Sequence, residues 1–129
     1  MLTKIWSAAN YGLEAIEIET EVNVAEKGFP GFTVVGLASK AVEEAKERVK
    51  TAIVNSEMEF PTAKITVNLA PADLPKEGAC YDLPIAVGIL ASSEQVELPK
   101  EKVYFFGELS LDGSLRHSRG VFLLAILAK

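Results

Sequence analysis

The segment LPIAVGILASS, residues 83–93, constrains the fold most because it is apolar on nearly every face. A helix of this kind is stable only when other elements surround it, so the segment predicts a central helix. Asp82 stands directly before it as the expected N-cap, and Pro84 falls in the first turn, where its missing N–H costs nothing. Gly88 indicates a close contact between this helix and a sheet.

The chain on either side of this helix predicts a mixed sheet. Apolar and polar residues alternate over 16–24, which is typical of a half-buried strand, and shorter strands are expected at 32–37 and 63–71. One face of the first strand carries three carboxylates: Glu17, Glu19 and Glu21. We interpret them as a solvated sheet face rather than a cation site, because side chains two apart on a strand diverge.

A second helix and a hairpin complete the predicted elements. Residues 39–56 have an apolar stripe at helical spacing, Ser39 as N-cap, and Glu44 and Arg48 placed to pair on the outer face. Asp112-Gly113 predicts a type I′ turn within a hairpin at 103–118. A final helix is expected at 120–128.

The order β-β-α-β-α-β-β-α predicts an α/β (α+β) two-layer sandwich with helices packed on a mixed sheet. The 129 residues suit a single domain over 1–129. We expect six residues in its core: Ile65, Val67, Ile85, Val87, Ile89 and Leu90. The apolar last segment ends without an exit signal, so we expect the chain to be a fragment of something longer.

Composition excludes several classes of function. The net charge of −5 disfavours non-specific attraction to nucleic acid by the chain as a whole. No apolar run approaches the roughly 20 residues needed to cross a bilayer, and no glycine-rich phosphate-binding motif occurs. One histidine and one cysteine cannot build a typical zinc site, so no metal or cofactor is expected in this chain. The single cysteine suits a reducing cytoplasm.

Two kinds of chemistry remain open. Cys80 at a helix start could be a nucleophile with His117 as its base, although a lone cysteine there is more often a small core filler. Asp82 could be a catalytic carboxylate, although the cap is the better interpretation.

A cationic cluster could contact phosphate or an acidic partner, or pair with the domain's own carboxylates: Lys76, Arg116, His117 and Arg119.

Four stretches together carry a resemblance to a known family: GFPGFTVVGL, VEEAKERVKTAIVNS, KITVNLAPADLPKEGACYDLPIAVGILASSEQ and FFGELSLDGSLRHSRGV. In this order they resemble the N-terminal domain of the ComM/YifB family of magnesium-chelatase-like AAA+ ATPases. The GELSLDG hairpin is shared more widely, with the C-terminal domains of RadA/Sms and of Lon proteases.

The resemblance implies a ribosomal-protein-S5-domain-2-like fold. It also implies a following AAA+ module that binds ATP and magnesium, assembly as a hexamer in the cytoplasm, and DNA handling in branch migration and natural transformation. For this chain alone it implies no ATPase activity and no cofactor.

Similarity to Lon-type peptidases provides a test for catalysis. Those enzymes use a Ser–Lys dyad, and aligning the corresponding runs places Ile85 at the nucleophile and Phe122 at the lysine. Neither side chain can carry out the dyad mechanism, and Ser92 and Ser93 have no evident base. We therefore expect a non-catalytic domain that supports DNA handling or subunit assembly. The alternative is a Lon-like peptidase or other hydrolase that uses Cys80.

Overall fold

The structure is a computed structural model and describes residues 1–117. The expected helix at 120–128, together with Arg119 and Phe122, lies outside the described residues. Seven elements follow one another along the described chain: β1 (Leu2–Tyr11), β2 (Glu14–Ala25), β3 (Gly31–Val35), α1 (Lys40–Glu43), α2 (Ala45–Asn55), β4 (Lys64–Ala70) and α3 (Asp82–Ser92).

The strands form one mixed sheet in the order β1-β2-β4-β3. β2 is antiparallel to both β1 and β4, with Val22 opposite Val67. β3 is parallel to β4, since the chain crosses through α1 and α2 between them. Helix α3 packs on β1, β2 and α2. Helices on a mixed sheet confirm the α+β class, while the S5-like topology stays a prediction.

Strand β1 is absent from the predicted elements. Its sequence does not alternate, because Thr3 and Ser7 are buried along with Ile5, and Ala8 and Ala9 are buried in succession. A period-two search therefore has no apolar face to detect. The backbone N–H of Phe105 also donates to the carbonyl of Trp6 at 2.9 Å, so a later segment lies along the outer edge of β1.

The helix expected at 39–56 is divided in two. Ser39 is the N-cap as predicted, and its Oγ accepts the backbone N–H of Val42 at 3.4 Å. The division falls at Glu44, whose ψ of −18° is closer to a 3₁₀ turn than to an α-helix. The apolar stripe continues through both pieces.

Helix α3 meets the sheet as closely as predicted. A Cβ added at Gly88 would lie 2.4 Å from Cγ2 of Val22, so only glycine fits without displacement. Four of the six expected core residues are buried: Ile65, Val67, Ile85 and Ile89. Leu90 is half-buried and packs against this core, whereas Val87 is half-buried outside it, so the prediction was wrong only for Val87.

The hairpin is smaller than expected, and its turn is of another type. Leu109 and Leu115 form an isolated antiparallel bridge instead of two full strands. The N–H of Gly113 donates to the carbonyl of Ser110 at 3.0 Å, and Gly113 has a φ of +92°. A type I′ turn would also require a positive φ at Asp112, which that residue does not have. The geometry is a type I turn followed by a left-handed glycine.

Candidate functional site

Asp82 stands at the meeting point of α2, α3 and the segment before the hairpin. Its side chain is fully buried, and its two carboxylate oxygens accept hydrogen bonds from Nε of Arg48 at 2.7 Å and Nη2 at 3.0 Å. The backbone N–H of Leu109 donates to the same carboxylate at 3.1 Å. This buried ion pair ties three parts of the chain together, since each partner comes from a different segment.

The prediction that Asp82 caps α3 was wrong. Tyr81 occupies the N-cap position without a side-chain cap, and Asp82 is the first helical residue. Its carboxylate turns to Arg48 because a buried charge needs a paired partner. Burial raises the pKa of the Asp82 carboxyl, and the bonds from Arg48 and Leu109 oppose that change. With both oxygens engaged, the carboxylate has a structural role rather than that of a catalytic base.

Arg48 makes its shortest contacts with Asp82 and the Ala41 carbonyl, and not with Glu44 as the sequence predicts. Its contact with Glu44 is long, 3.9 Å between Nη1 and Oε2, whereas its Nη2 donates to the Ala41 carbonyl at 2.9 Å. The hydrogen bond to Asp82 raises the pKa of Arg48, which keeps the guanidinium charged. Helical spacing detects only neighbours one turn away, so a partner 34 positions along the chain left no local signal.

A cleft of about 520 Å³ opens beside the buried ion pair. Its volume is within the range of small-ligand sites. The cleft is lined by Ala9, Asn10, Tyr11, Pro75, Glu77, Gly78, Ala79, Cys80, Tyr81, Glu108 and His117. The fold therefore brings Cys80 and His117, the two residues of the candidate nucleophilic pair, to one cleft.

The electrostatics of the cleft disfavour a cysteine nucleophile. Burial raises the pKa of the Cys80 thiol to about 11. A thiol with that pKa is protonated at neutral pH, and the thiolate is the reactive form. His117 is exposed on the cleft wall.

Two tyrosines face the same cleft. Tyr11 donates its hydroxyl hydrogen bond to the carbonyl of Pro75. Tyr81 is fully buried, and within residues 1–117 its hydroxyl has no hydrogen-bond partner. Burial raises the pKa of both phenols, and the proximity of Cys80 contributes to each rise. The two tyrosines and Cys80 therefore line one cleft.

The expected cationic cluster does not form as predicted. Lys76 is fully buried, and its Nζ donates to the carbonyl of Pro71, so the expectation of a surface contact at Lys76 was wrong. Burial lowers the pKa of Lys76. Arg116 and His117 are exposed near the hairpin, in keeping with a contact surface, and Arg119 lies outside the described residues.

The carboxylates along β2 have separate partners. Glu17 pairs with Lys102 and accepts the Tyr104 hydroxyl, Glu19 pairs with Lys4 at 3.5 Å, and Glu21 accepts Nδ2 of Asn68 at 2.8 Å. Over the part of the chain that the structure describes, no group of three or more His, Cys, Asp or Glu side chains could hold a metal ion. Within residues 1–117, no helix has the length and apolar character to span a membrane.

Helices packed on a mixed sheet define the chain as an α+β domain, in which a buried ion pair joins α2, α3 and the segment before the hairpin. Residues 20–129 match the family described as subunit ChlI of Mg-chelatase, and the chain belongs to that family. It is 49% identical over 128 residues to the competence protein ComM of Haemophilus influenzae, covering 98% of this chain and 25% of that protein. It is 52% identical over 116 residues to the Escherichia coli protein YifB, covering 89% of this chain and 23% of that protein.

These matches confirm the resemblance to the ComM/YifB family. The chain spans about a quarter of the length of the curated relatives it matches.

Proposed function

We propose that this chain is the non-catalytic N-terminal domain of a ComM/YifB-type AAA+ ATPase, where it supports DNA handling or subunit assembly. The observation that carries the proposal is the 49% identity, over 98% of the chain, to a protein named for competence. Branch migration and natural transformation are the processes to which the resemblance connects such a domain.

The surroundings of Ile85, Asp82 and Cys80 support the absence of catalysis. Ile85, which stands where a Lon-type peptidase keeps its serine, is fully buried in α3. The Asp82 carboxylate is held by Arg48, and burial raises the pKa of the Cys80 thiol to about 11. A nucleophile needs a reactive atom and a base within reach, and these groups supply neither at neutral pH. The hydrolase that uses Cys80 is therefore not favoured.

The intact protein would supply the energy for this work. We propose a following AAA+ module that binds ATP and magnesium, assembles as a hexamer and works in the cytoplasm. The short length of this chain, 25% of its relative, leaves room for such a module.

Arg116, His117 and Arg119 are the proposed contact residues, and the first two are exposed. Because the chain carries a net charge of −5, a contact with DNA would have to be local. We expect Arg116→Glu combined with Arg119→Glu in the intact protein to weaken DNA binding and to reduce its salt slope by roughly 2. Titrations at several salt concentrations measure both quantities.

Lys27→Glu combined with Lys64→Glu is the matched control, because it makes the same change in net charge at two exposed residues, one after the end of β2 and one at the start of β4. If both reversals weaken binding equally, the effect is one of net charge, and the contact at Arg116 is rejected. Unchanged DNA binding in the Arg116 and Arg119 variant, with hexamers lost on deletion of residues 1–129, would favour subunit assembly instead. Analytical ultracentrifugation with and without ATP measures that assembly.

A further inference from the structure

The cleft beside Cys80 is lined by acidic and aromatic side chains. Two carboxylates, Glu77 and Glu108, and two tyrosines, Tyr11 and Tyr81, line it together. No lysine or arginine is among the described residues of its wall. Carboxylates and aromatic rings around one concave volume are the groups that recognise an organic cation.

The charge on the cleft wall is uncompensated. Arg48, which is near enough to Glu108 for that carboxylate to raise its pKa, is already neutralised by the two bonds to Asp82. Neither Glu77 nor Glu108 has an ion-pair partner within the described chain. The wall is therefore negative overall near neutral pH.

The buried hydroxyl of Tyr81 also favours a ligand in this cleft. A buried polar group without a partner reduces the stability of the fold, and native structures contain few of them. Tyr81 is 0% exposed and lines the cleft, and among residues 1–117 its hydroxyl has no hydrogen-bond partner. An ammonium N–H that entered the cleft would give that oxygen a donor.

An anion would fit the cleft poorly. The N-terminus of α3 would be the natural anion site, but the N–H of Asp82 donates to the Ala79 carbonyl and that of Leu83 to the Gly107 carbonyl. The Asp82 carboxylate already occupies the same helix end. The donors that would attract phosphate or sulfate are thus engaged.

We infer that the cleft binds an alkylammonium group, of the kind presented by a lysine side chain or by a free amine. The carboxylates of Glu77 and Glu108 would hold the charge and the ring of Tyr11 would contact the methylenes. The Tyr81 oxygen, which is covered in the unliganded chain, would accept one N–H once its cover moves aside. This site adjoins the proposed DNA contact, because His117 lies on the cleft wall, but its test uses no DNA and does not depend on that proposal.

The experiment is a titration of the 129-residue chain with butylammonium chloride at constant ionic strength, followed by two-dimensional amide NMR. We expect saturable shifts at Gly78, Cys80 and Glu108, and no such shifts with sodium sulfate. The double variant Glu77→Gln and Glu108→Gln should bind roughly tenfold more weakly. Glu26→Gln, at an exposed position outside the cleft, should bind like the unchanged chain.

Tyr81→Phe provides a second variant that keeps the ring and the charge. It should weaken butylammonium binding by roughly threefold while the amide spectrum stays folded. A Gly-Lys-Gly peptide distinguishes the two sources of the cation: tighter binding than butylammonium indicates a polypeptide ligand, and equal binding indicates a free amine. Saturable sulfate shifts, absence of butylammonium shifts, or equal binding by the double variant would overturn the inference.

Discussion

Asp82 of the buried ion pair and Tyr81 of the cleft are consecutive residues, yet their buried polar groups differ in whether they have hydrogen-bond partners. At Asp82 every oxygen is engaged, by Arg48 and by the N–H of Leu109. At Tyr81, one position earlier, the hydroxyl is equally buried and has no partner within the described chain. The first arrangement stabilises the fold, while the second leaves donors and acceptors for a ligand.

This difference separates two meanings of an unusual polar residue. A buried charge with full pairing is a structural centre, because removing either partner leaves the other uncompensated. A buried polar group without pairing reduces stability. Its presence favours a role in binding where the residue lines the cleft, as Tyr81 does and the equally unpartnered Ser7 and Thr20 of the described chain do not. The segment 76–82, which leads into α3, provides both.

The largest expected effect is at the buried ion pair. Asp82→Asn removes the charge that compensates Arg48 and should reduce the free energy of unfolding by about 3 kcal/mol. That is the lower end of the range for broken buried pairs, because the Arg48 side chain is 20% exposed. Urea unfolding of the 129-residue chain, with the denaturant slope unchanged, measures the loss.

Glu44→Gln is the matched control because it removes a carboxylate from the same arginine at 3.9 Å. Exposed pairs of this kind contribute about 0.2–1 kcal/mol, so the control should change little. If Asp82→Asn costs no more than Glu44→Gln, the buried ion pair is not a structural centre, and the contrast with the cleft fails.

The next effect concerns the reactivity of Cys80. With a pKa of about 11, the thiol should react with iodoacetamide at pH 7.5 roughly a hundredfold more slowly than an ordinary cysteine of pKa about 8.5. The rate should continue to rise about tenfold per pH unit beyond pH 9, where an ordinary thiol levels off. Mass spectrometry of quenched samples measures the rate.

The same chain in denaturing urea supplies the reference rate, and Cys80→Ser supplies the background. Fast, saturable labelling of the folded chain at neutral pH would show an activated thiolate. That outcome would restore the hydrolase alternative and contradict the assignment of the cleft to non-covalent binding.

Local sequence patterns predicted the elements whose information is local. Helix α3, the alternation along β2 and the cap at Ser39 depend on spacing or on one side chain, and the structure confirms each. The close approach at Gly88 was also predictable, because a glycine inside an apolar helix costs helix stability and is typical of a tight packing contact.

The remainder depended on contacts distant in sequence. Strand β1 presents Thr3 and Ser7 to the interior, so tertiary packing outweighs its pattern. Lysine is almost never fully buried without a partner, which favours an exposed Lys76 in the expected cationic cluster, yet a backbone carbonyl supplies the partner here. The presence of Cys80 and His117 in one cleft, and the pairing of Asp82 with Arg48, depend on the fold alone.

The smallest expected effect tests how rigidly helix α3 packs against strand β2 at Gly88. Gly88→Ala adds a methyl group 2.4 Å from Cγ2 of Val22, and such overpacking costs about 1–3 kcal/mol. Alanine returns roughly 1 kcal/mol of helix propensity, so we expect a net loss of about 1 kcal/mol in urea unfolding.

Val22→Ala removes the methyl group that the new Cβ would meet, so the two substitutions should partly compensate one another. The double variant should be more stable than the sum of the single losses predicts, by about 0.5–3 kcal/mol. If Gly88→Ala instead stabilises the chain, helix α3 can move away from β2 at little cost. The packing of α3 on β2 would then be as adaptable as the cleft. Rigidity could not be what distinguishes this packed region from the cleft.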